Sequence, residues 1–155
     1  MSKELNTILK TYWGYESFRP QQLSVINAVL AQKDTLALLP TGAGKSICFQ
    51  VPTLFANGIC IVVSPLIALM QDQVKDLQSK NIPAIALGGN LSEEAQAEVL
   101  AAAIKGKFKF IYCSPEKLAQ KNFQEAISKI KVTLFLFIFE LYTLILIIIK
   151  NIREN

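Results

Sequence analysis

The stretch LLPTGAGKS, residues 38–46, limits the fold of this chain more than any other. It follows an apolar run, DTLALLP, and opens a predicted helix, which is the setting a phosphate-cradling loop requires. Gly42 and Gly44 lack Cβ atoms, so backbone N–H groups can turn inward around phosphate oxygens. The helix beginning near Lys45 adds the positive end of its dipole. Lys45 is placed to reach the β- and γ-phosphates as a point charge, and the Ser46 hydroxyl to be a ligand for Mg²⁺. The strict pattern G-x-x-x-x-G-K-[ST] is not met, because Leu39 stands where its first glycine belongs, so the loop is a variant.

A loop of this kind sits on a parallel sheet, and the sequence supplies one. DTLALLP, GICIVVSP, IPAIALGG and FKFIYCSP are short apolar runs ending in Pro, Gly or Ser, as buried strands do. Between them, PLIALMQDQVKDLQSK places Leu66, Leu69, Met70, Val74 and Leu77 on one side of a helix. SEEAQAEVLAAAIKG begins with acids and stops at Gly106. Alternating strands and helices predict an α/β fold, a parallel sheet flanked by helices. Ser64 before Pro65 and Ser114 before Pro115 each predict a capping hydroxyl with proline at the first helical position.

Composition narrows the partners. A length of 155 residues suits one domain. Sixteen Lys and Arg against twelve Asp and Glu give a formal charge of +4, which admits an anionic partner without requiring one. Cys48, Cys60 and Cys113 form no CxxC pair and the chain has no histidine, which argues against zinc and predicts buried free thiols in a reducing cytoplasmic setting. The amino-terminal MSKELNTILKTYWGY has no secretory signal pattern.

Upstream of the loop, YWGYESFRPQQ gathers aromatic, arginine and glutamine side chains. An aromatic face can stack on a base, and a glutamine amide can pair with the N6/N7 edge of adenine. Taken alone the cluster is ambiguous, and structural packing is the favoured reading of it.

Taken in order, GYESFRPQQ, LPTGAGKSICFQVP, VVSPLIALMQDQV and YCSPEKL resemble the N-terminal motor domain of RecQ-family DNA helicases, in helicase superfamily 2. The resemblance implies a truncated RecA-like P-loop fold. It implies ATP with Mg²⁺ as cofactor, and single-stranded or partly duplex DNA as partner. Tyr15, Arg19 and Gln22 match the family's adenine motif, and Thr41, Gly42, Ala43, Gly44, Lys45 and Ser46 its phosphate loop, Ala43 replacing a usual glycine. Ser64, Pro65, Leu66, Ser114 and Pro115 match motifs of the nucleic-acid face. By this likeness the family activity is ATP-driven 3′ to 5′ DNA unwinding.

Hydrolysis needs acids to hold Mg²⁺ and to position the attacking water. In RecQ-like proteins these belong to a D-E-A-H box, expected near Ile138. The chain has LFLFIFELY there, and contains neither that box nor a histidine. The resemblance therefore assigns residues 1–135 to a partial ATP-binding domain and 136–155 to an apolar tail outside the family pattern. It implies a chain that is itself inactive, with no catalytic residue assigned. Glu140 is the one acid nearby, without the partner or turn that chemistry would need.

Three structures remain open for the run KVTLFLFIFELYTLILIIIK: strand, membrane helix or aggregation segment. About fourteen apolar residues at about −0.3 to −0.6 kcal/mol each outweigh one acid at about +3 kcal/mol, so the arithmetic permits insertion. The family context speaks against it. A non-catalytic nucleotide- or DNA-binding module, or a small membrane-anchored nucleotide-binding protein, are the alternatives in function.

Overall fold

The computed structural model describes residues 2–88, 91–141 and 144–151. It is an α/β structure around a six-stranded sheet. Helix α1, Ser2–Trp13, buries Leu5 and Leu9, one turn apart, and stops at Gly14, whose φ of +74° suits glycine. Helix α2, Pro20–Leu30, starts with proline at its first turn, where no N–H is needed. Strand β1, Thr35–Pro40, leads through the glycine loop into α3, Ile47–Phe55, two residues later than the sequence predicts.

The middle of the chain follows the predicted alternation. Strand β2 is Ile59–Val63, α4 Ile67–Ser79, β3 Ala84–Leu87, α5 Glu93–Ile104 and β4 Phe110–Cys113. Helix α5 is capped by Ser92, whose Oγ accepts from the Ala95 N–H at 3.2 Å, and acidic Glu93 and Glu94 sit at its positive end. Short helices α6, Pro115–Leu118, and α7, Lys121–Ile127, follow.

The apolar run forms two strands, β5, Val132–Leu141, and β6, Leu144–Asn151. The sheet order is β1-β6-β5-β2-β4-β3. Strands β2, β3 and β4 pair in parallel, as the sequence predicts, and β5, from the run left open, pairs in parallel with β2, whereas the predicted strand β1 has no parallel ladder. Strand β6 is antiparallel to both of its neighbours, β1 and β5, so β1 and β5 point the same way. The second part of the apolar run, β6, thus fills the slot between β1 and β5, the first part of the same run. No helix among the described residues is long and apolar enough to cross a membrane.

Alternation along β2 divides the core. Cys60 and Val62 face a cluster with Phe49 of α3 and Met70, Val74 and Leu77 of α4. Ile59, Ile61 and Val63 face the opposite cluster with Leu100 and Phe123 of α5 and α7. Leu5, Leu9, Ile26, Ile47 and Val51 tie α1 and α2 to α3. All three cysteines are free and buried, and burial pushes each thiol up to about 12. The outer part of the sheet is less covered: Leu36 and Leu38 on β1 are 70% and 56% exposed.

Candidate nucleotide and nucleic-acid site

Because β1, β2, β4 and β5 share one direction, their carboxyl ends lie along one sheet edge, where open α/β sheets bind ligands. Residues 41–46 leave that edge from β1. Gly42 and Gly44 adopt φ of +80° and +70°, a region that strains any residue with a Cβ. The Ala43 N–H closes the turn on the Pro40 carbonyl at 3.2 Å.

Helix α2 holds the loop from one flank. The Arg19 guanidinium donates from Nη1 to the Gly42 carbonyl at 2.7 Å. Gln22 Nε2 donates to the carbonyls of Ala43, at 3.2 Å, and Gly44, at 3.1 Å. Three consecutive carbonyls are therefore engaged by Arg19 and Gln22 at the start of α2. Gln22 is itself fixed, since its Oε1 accepts from the Arg19 N–H at 2.9 Å and only 4% of the residue is exposed. A Cβ on Gly44 would lie 2.3 Å from Gln22 Nε2, so the glycine is what lets Gln22 seat.

This arrangement differs from simple adenine pairing by Gln22. Both ends of its amide are engaged with protein here, so an adenine edge would have to exchange for these bonds. Tyr15 is 56% exposed in the bend before α2, open for stacking. Thr41 is exposed, Ala43 is buried, and Lys45 and Ser46 are half-buried. Ser46 occupies the cap position of α3 without a side-chain capping bond, leaving that hydroxyl available to other ligands.

The two Ser-Pro turns stand on adjacent strands, for Val63 pairs with Cys113, and the Ser64 N–H donates to the Cys113 carbonyl at 3.1 Å. They differ in kind. Ser114 is a true cap: its Oγ accepts from the Lys117 N–H at 3.2 Å, and Pro115 opens α6. Ser64 is not a helix cap, contrary to the sequence expectation. Its Oγ accepts from the Leu66 N–H at 3.2 Å, a local turn that delays α4 until Ile67, with Leu66 at the cap position. Pro65 and Leu66 are consequently exposed at the edge while Ser64 is buried.

Sequence reasoning missed Lys117, which is buried and donates to Gln120 Oε1 at 2.7 Å and to Gln96 Oε1, tying α5 to the Ser114 turn. Nothing in a lysine beside a Ser-Pro cap announces burial. Beside it, Glu116 is held below the usual carboxylate range by a hydrogen bond from its own backbone and one from Ser114.

At the expected position of the acidic box the structure has strand. Ile138 is buried in the core and pairs with Ile147. The backbone of Glu140 continues β5 opposite Ile145, and its side chain lies outside the described residues. Among the described residues no group of three or more His, Cys, Asp or Glu could hold a metal ion.

A glycine loop at the carboxyl end of β1, pinned by a preceding Arg and Gln, defines a P-loop α/β domain. The chain belongs to the DEAD/DEAH box helicase family, whose profile matches residues 19–139. Its relatives are of the RecQ type. It is 47% identical over 116 residues to the "ATP-dependent DNA helicase RecQ" of Synechocystis, and 44% identical over 126 residues to that of Haemophilus influenzae. It is 40% identical over 123 residues to the "ATP-dependent DNA helicase Q-like 4B" of Arabidopsis thaliana. These alignments cover 75%, 81% and 78% of this chain but 24%, 20% and 11% of those proteins.

Proposed function

We propose that this chain is the ATP-binding and nucleic-acid-binding part of a RecQ-like ATP-dependent 3′ to 5′ DNA helicase, and that by itself it binds without turning ATP over. The observation that supports binding most directly is the glycine loop at the sheet edge, its three carbonyls engaged by Arg19 and Gln22. Phosphates fit that cradle, with Thr41 to Ser46 around them and Lys45 as the counter-charge. Tyr15 would stack on the base, with Arg19 and Gln22 lining the adenine side.

Within the loop the Ser46 hydroxyl would be a ligand for Mg²⁺, and phosphate oxygens and water would complete its shell. Bound there, the ion would neutralise charge on the transferring phosphate. The lack of turnover follows from β5, where an apolar strand replaces the acids that hold metal and water. On this reading residues 1–135 are the binding domain, and 136–155 are a tail without chemistry, of which residues 136–141 and 144–151 extend the sheet. Ser64, Pro65, Leu66, Ser114 and Pro115 would contact the DNA backbone, supported by their shared place on the edge.

Titration with a fluorescent ATP analogue tests the first half. Micromolar binding that weakens at least about tenfold in Lys45→Ala is expected, about 1.4 kcal/mol or more. An ATPase assay with single-stranded DNA tests the second. Turnover that Lys45→Ala abolishes would overturn the inactivity.

A further inference from the structure

The end of the sheet away from the glycine loop gathers positive charge that the site described above does not use. Lys109 immediately precedes β4 and Lys131 immediately precedes β5, and both strands run parallel to β2, so their amino ends lie together. The backbone ties them there: the Lys131 carbonyl accepts from the Ile59 N–H and the Lys109 carbonyl from the Cys60 N–H, each at 3.0 Å. The two loops read KGKFK, 105–109, and KIK, 129–131, with five lysines and no acid in eight residues. Lys105, Lys107, Lys129 and Lys131 are exposed and Lys109 is half-buried. Among the described residues, Lys105, Lys107, Lys109 and Lys129 have no carboxylate at ion-pair distance. Helix dipoles account for Lys105 and Lys129, which follow α5 and α7, but not for the lysines that lead into strands.

Between the loops opens a cavity of about 270 Å³. Ile59, Ile104, Phe108 and Ile130 give it an apolar lining, and Lys109 and Lys131 bring charge to it. Lys109 Nζ is held there by donating to the Ala56 carbonyl at 2.7 Å. An apolar hollow bordered by cations suits a single strand of nucleic acid, which presents a flat base and charged phosphates on either side of it. An acidic peptide would match the charge and leave the hollow unfilled. At the opposite edge the lysine beside the Ser114 turn, Lys117, is buried and hydrogen-bonded to Gln120 and Gln96. That edge can position a phosphate with hydroxyl and N–H groups, but affinity for a polyanion comes chiefly from the cations that neutralise it.

We propose that the amino end of the sheet is a second contact for single-stranded DNA, where Lys105, Lys107, Lys109, Lys129 and Lys131 neutralise phosphates and the hollow beside Phe108 takes a base. This rests on the reading that the chain binds DNA. It moves most of the electrostatic affinity to the face opposite the Ser64–Leu66 edge.

The test follows the fluorescence anisotropy of a labelled oligothymidylate strand at salt concentrations from about 50 to 200 mM. A triple variant, Lys105→Gln with Lys107→Gln and Lys129→Gln, is compared with the unaltered chain. A second triple, Lys3→Gln with Lys10→Gln and Lys75→Gln, removes the same charge from α1 and α4. The first triple should bind about tenfold more weakly at the low-salt end, and flatten the slope of log affinity against log salt by about 2, near 0.7 for each lysine lost. The second should stay within about twofold in affinity and about 0.5 in slope. Equal effects of the two triples would overturn the proposal by reducing it to net charge. Binding by the first triple with an unchanged slope would overturn it while leaving the DNA reading in place, whereas no binding by the unaltered chain would overturn both. Poly-glutamate that displaces the labelled strand as well as unlabelled oligothymidylate does would also count against it, as the mark of a site for any polyanion. If the first triple does not melt cooperatively, Lys107→Gln and Lys129→Gln decide singly, each expected to flatten the slope by about 0.7.

Discussion

Strands β1 to β4 and the pair β5–β6 solve the problem of being buried in opposite ways. The first four are four to six residues long, and β1, β2 and β4 end in a turn that carries polar chemistry: the glycine loop, Ser64 and Ser114. The last two are ten and eight residues long, and β5 runs past the level where β2 stops, since Val63 pairs with Phe137 and four more residues follow in the strand. A short strand delivers the chain to the sheet edge for binding. A long apolar one continues the ladder there and delivers backbone pairing instead of carboxylates.

Removing β6 separates these roles most forcefully. Strand β1 is at the sheet margin and its ladder neighbour is β6, so a chain ending at Leu141 leaves the phosphate-loop strand unpaired. Loss of a cooperative thermal transition, with aggregation through the freed edges, is expected by calorimetry and light scattering. A soluble, cooperative product would show that β1 is held by α2 and α3 alone. Next in size, Leu136→Ala, at a fully buried β5 position, should lower stability by about 2–5 kcal/mol in urea titrations. Leu38→Ala, on the exposed side of β1, should stay within about 0.5 kcal/mol. Equal effects would mean that β5 is not core.

Within the loop, Gly42→Ala and Gly44→Ala meet the same backbone strain but different surroundings. At Gly42 a Cβ finds open space and strain alone should cost about 1–2 kcal/mol. At Gly44 it also strikes Gln22, so a larger loss of stability and at least about tenfold weaker nucleotide binding are expected. Matching losses in the two variants would argue that Gln22 is not seated on the loop.

A further effect is alkaline. Cys48, Cys60 and Cys113 keep their protons in the folded state up to about 12, against an ordinary value of 9.0. Unfolding lets them ionise earlier, so their stabilising contribution is whole below about pH 9 and fades as pH rises toward 12. Tyr112 acts in the same sense, while Lys109, held below its ordinary value by burial, opposes them. Urea midpoints should therefore fall between pH 8.5 and 10.5. Midpoints that rise would mean the thiols are solvated.

Most of the fold was legible where local signals agree. Runs such as ICIVV are too short for helices, and Pro, Gly or Ser stops them; the acid-to-glycine course of α5 marks both its ends. The tail was not legible, because an unbroken apolar run has no period to read. Its last strand, β6, is placed by pairing with β1, far back in the sequence, as well as with the adjacent β5. In the site, glycine spacing disclosed the loop, but not that Gln22 would turn its amide onto the carbonyls of Ala43 and Gly44. Nor could Ser64-Pro65 be told from Ser114-Pro115 by composition. The two dipeptides are identical, and what differs is whether the hydroxyl finds its N–H two or three residues ahead.

The place of β6 beside β1 also sets an order in time. Lys150 Nζ meets Asp34 Oδ2 at 3.1 Å, at the start of β1, from 116 residues further along the chain. At a synthesis rate of about 5–20 residues per second, roughly ten seconds separate the making of the loop from the making of the strand that anchors it. Local collapse takes microseconds, so the parallel centre can assemble while β1 still waits. In a nascent chain the β2–β4–β3 centre would therefore form before β1 has the neighbour that holds it.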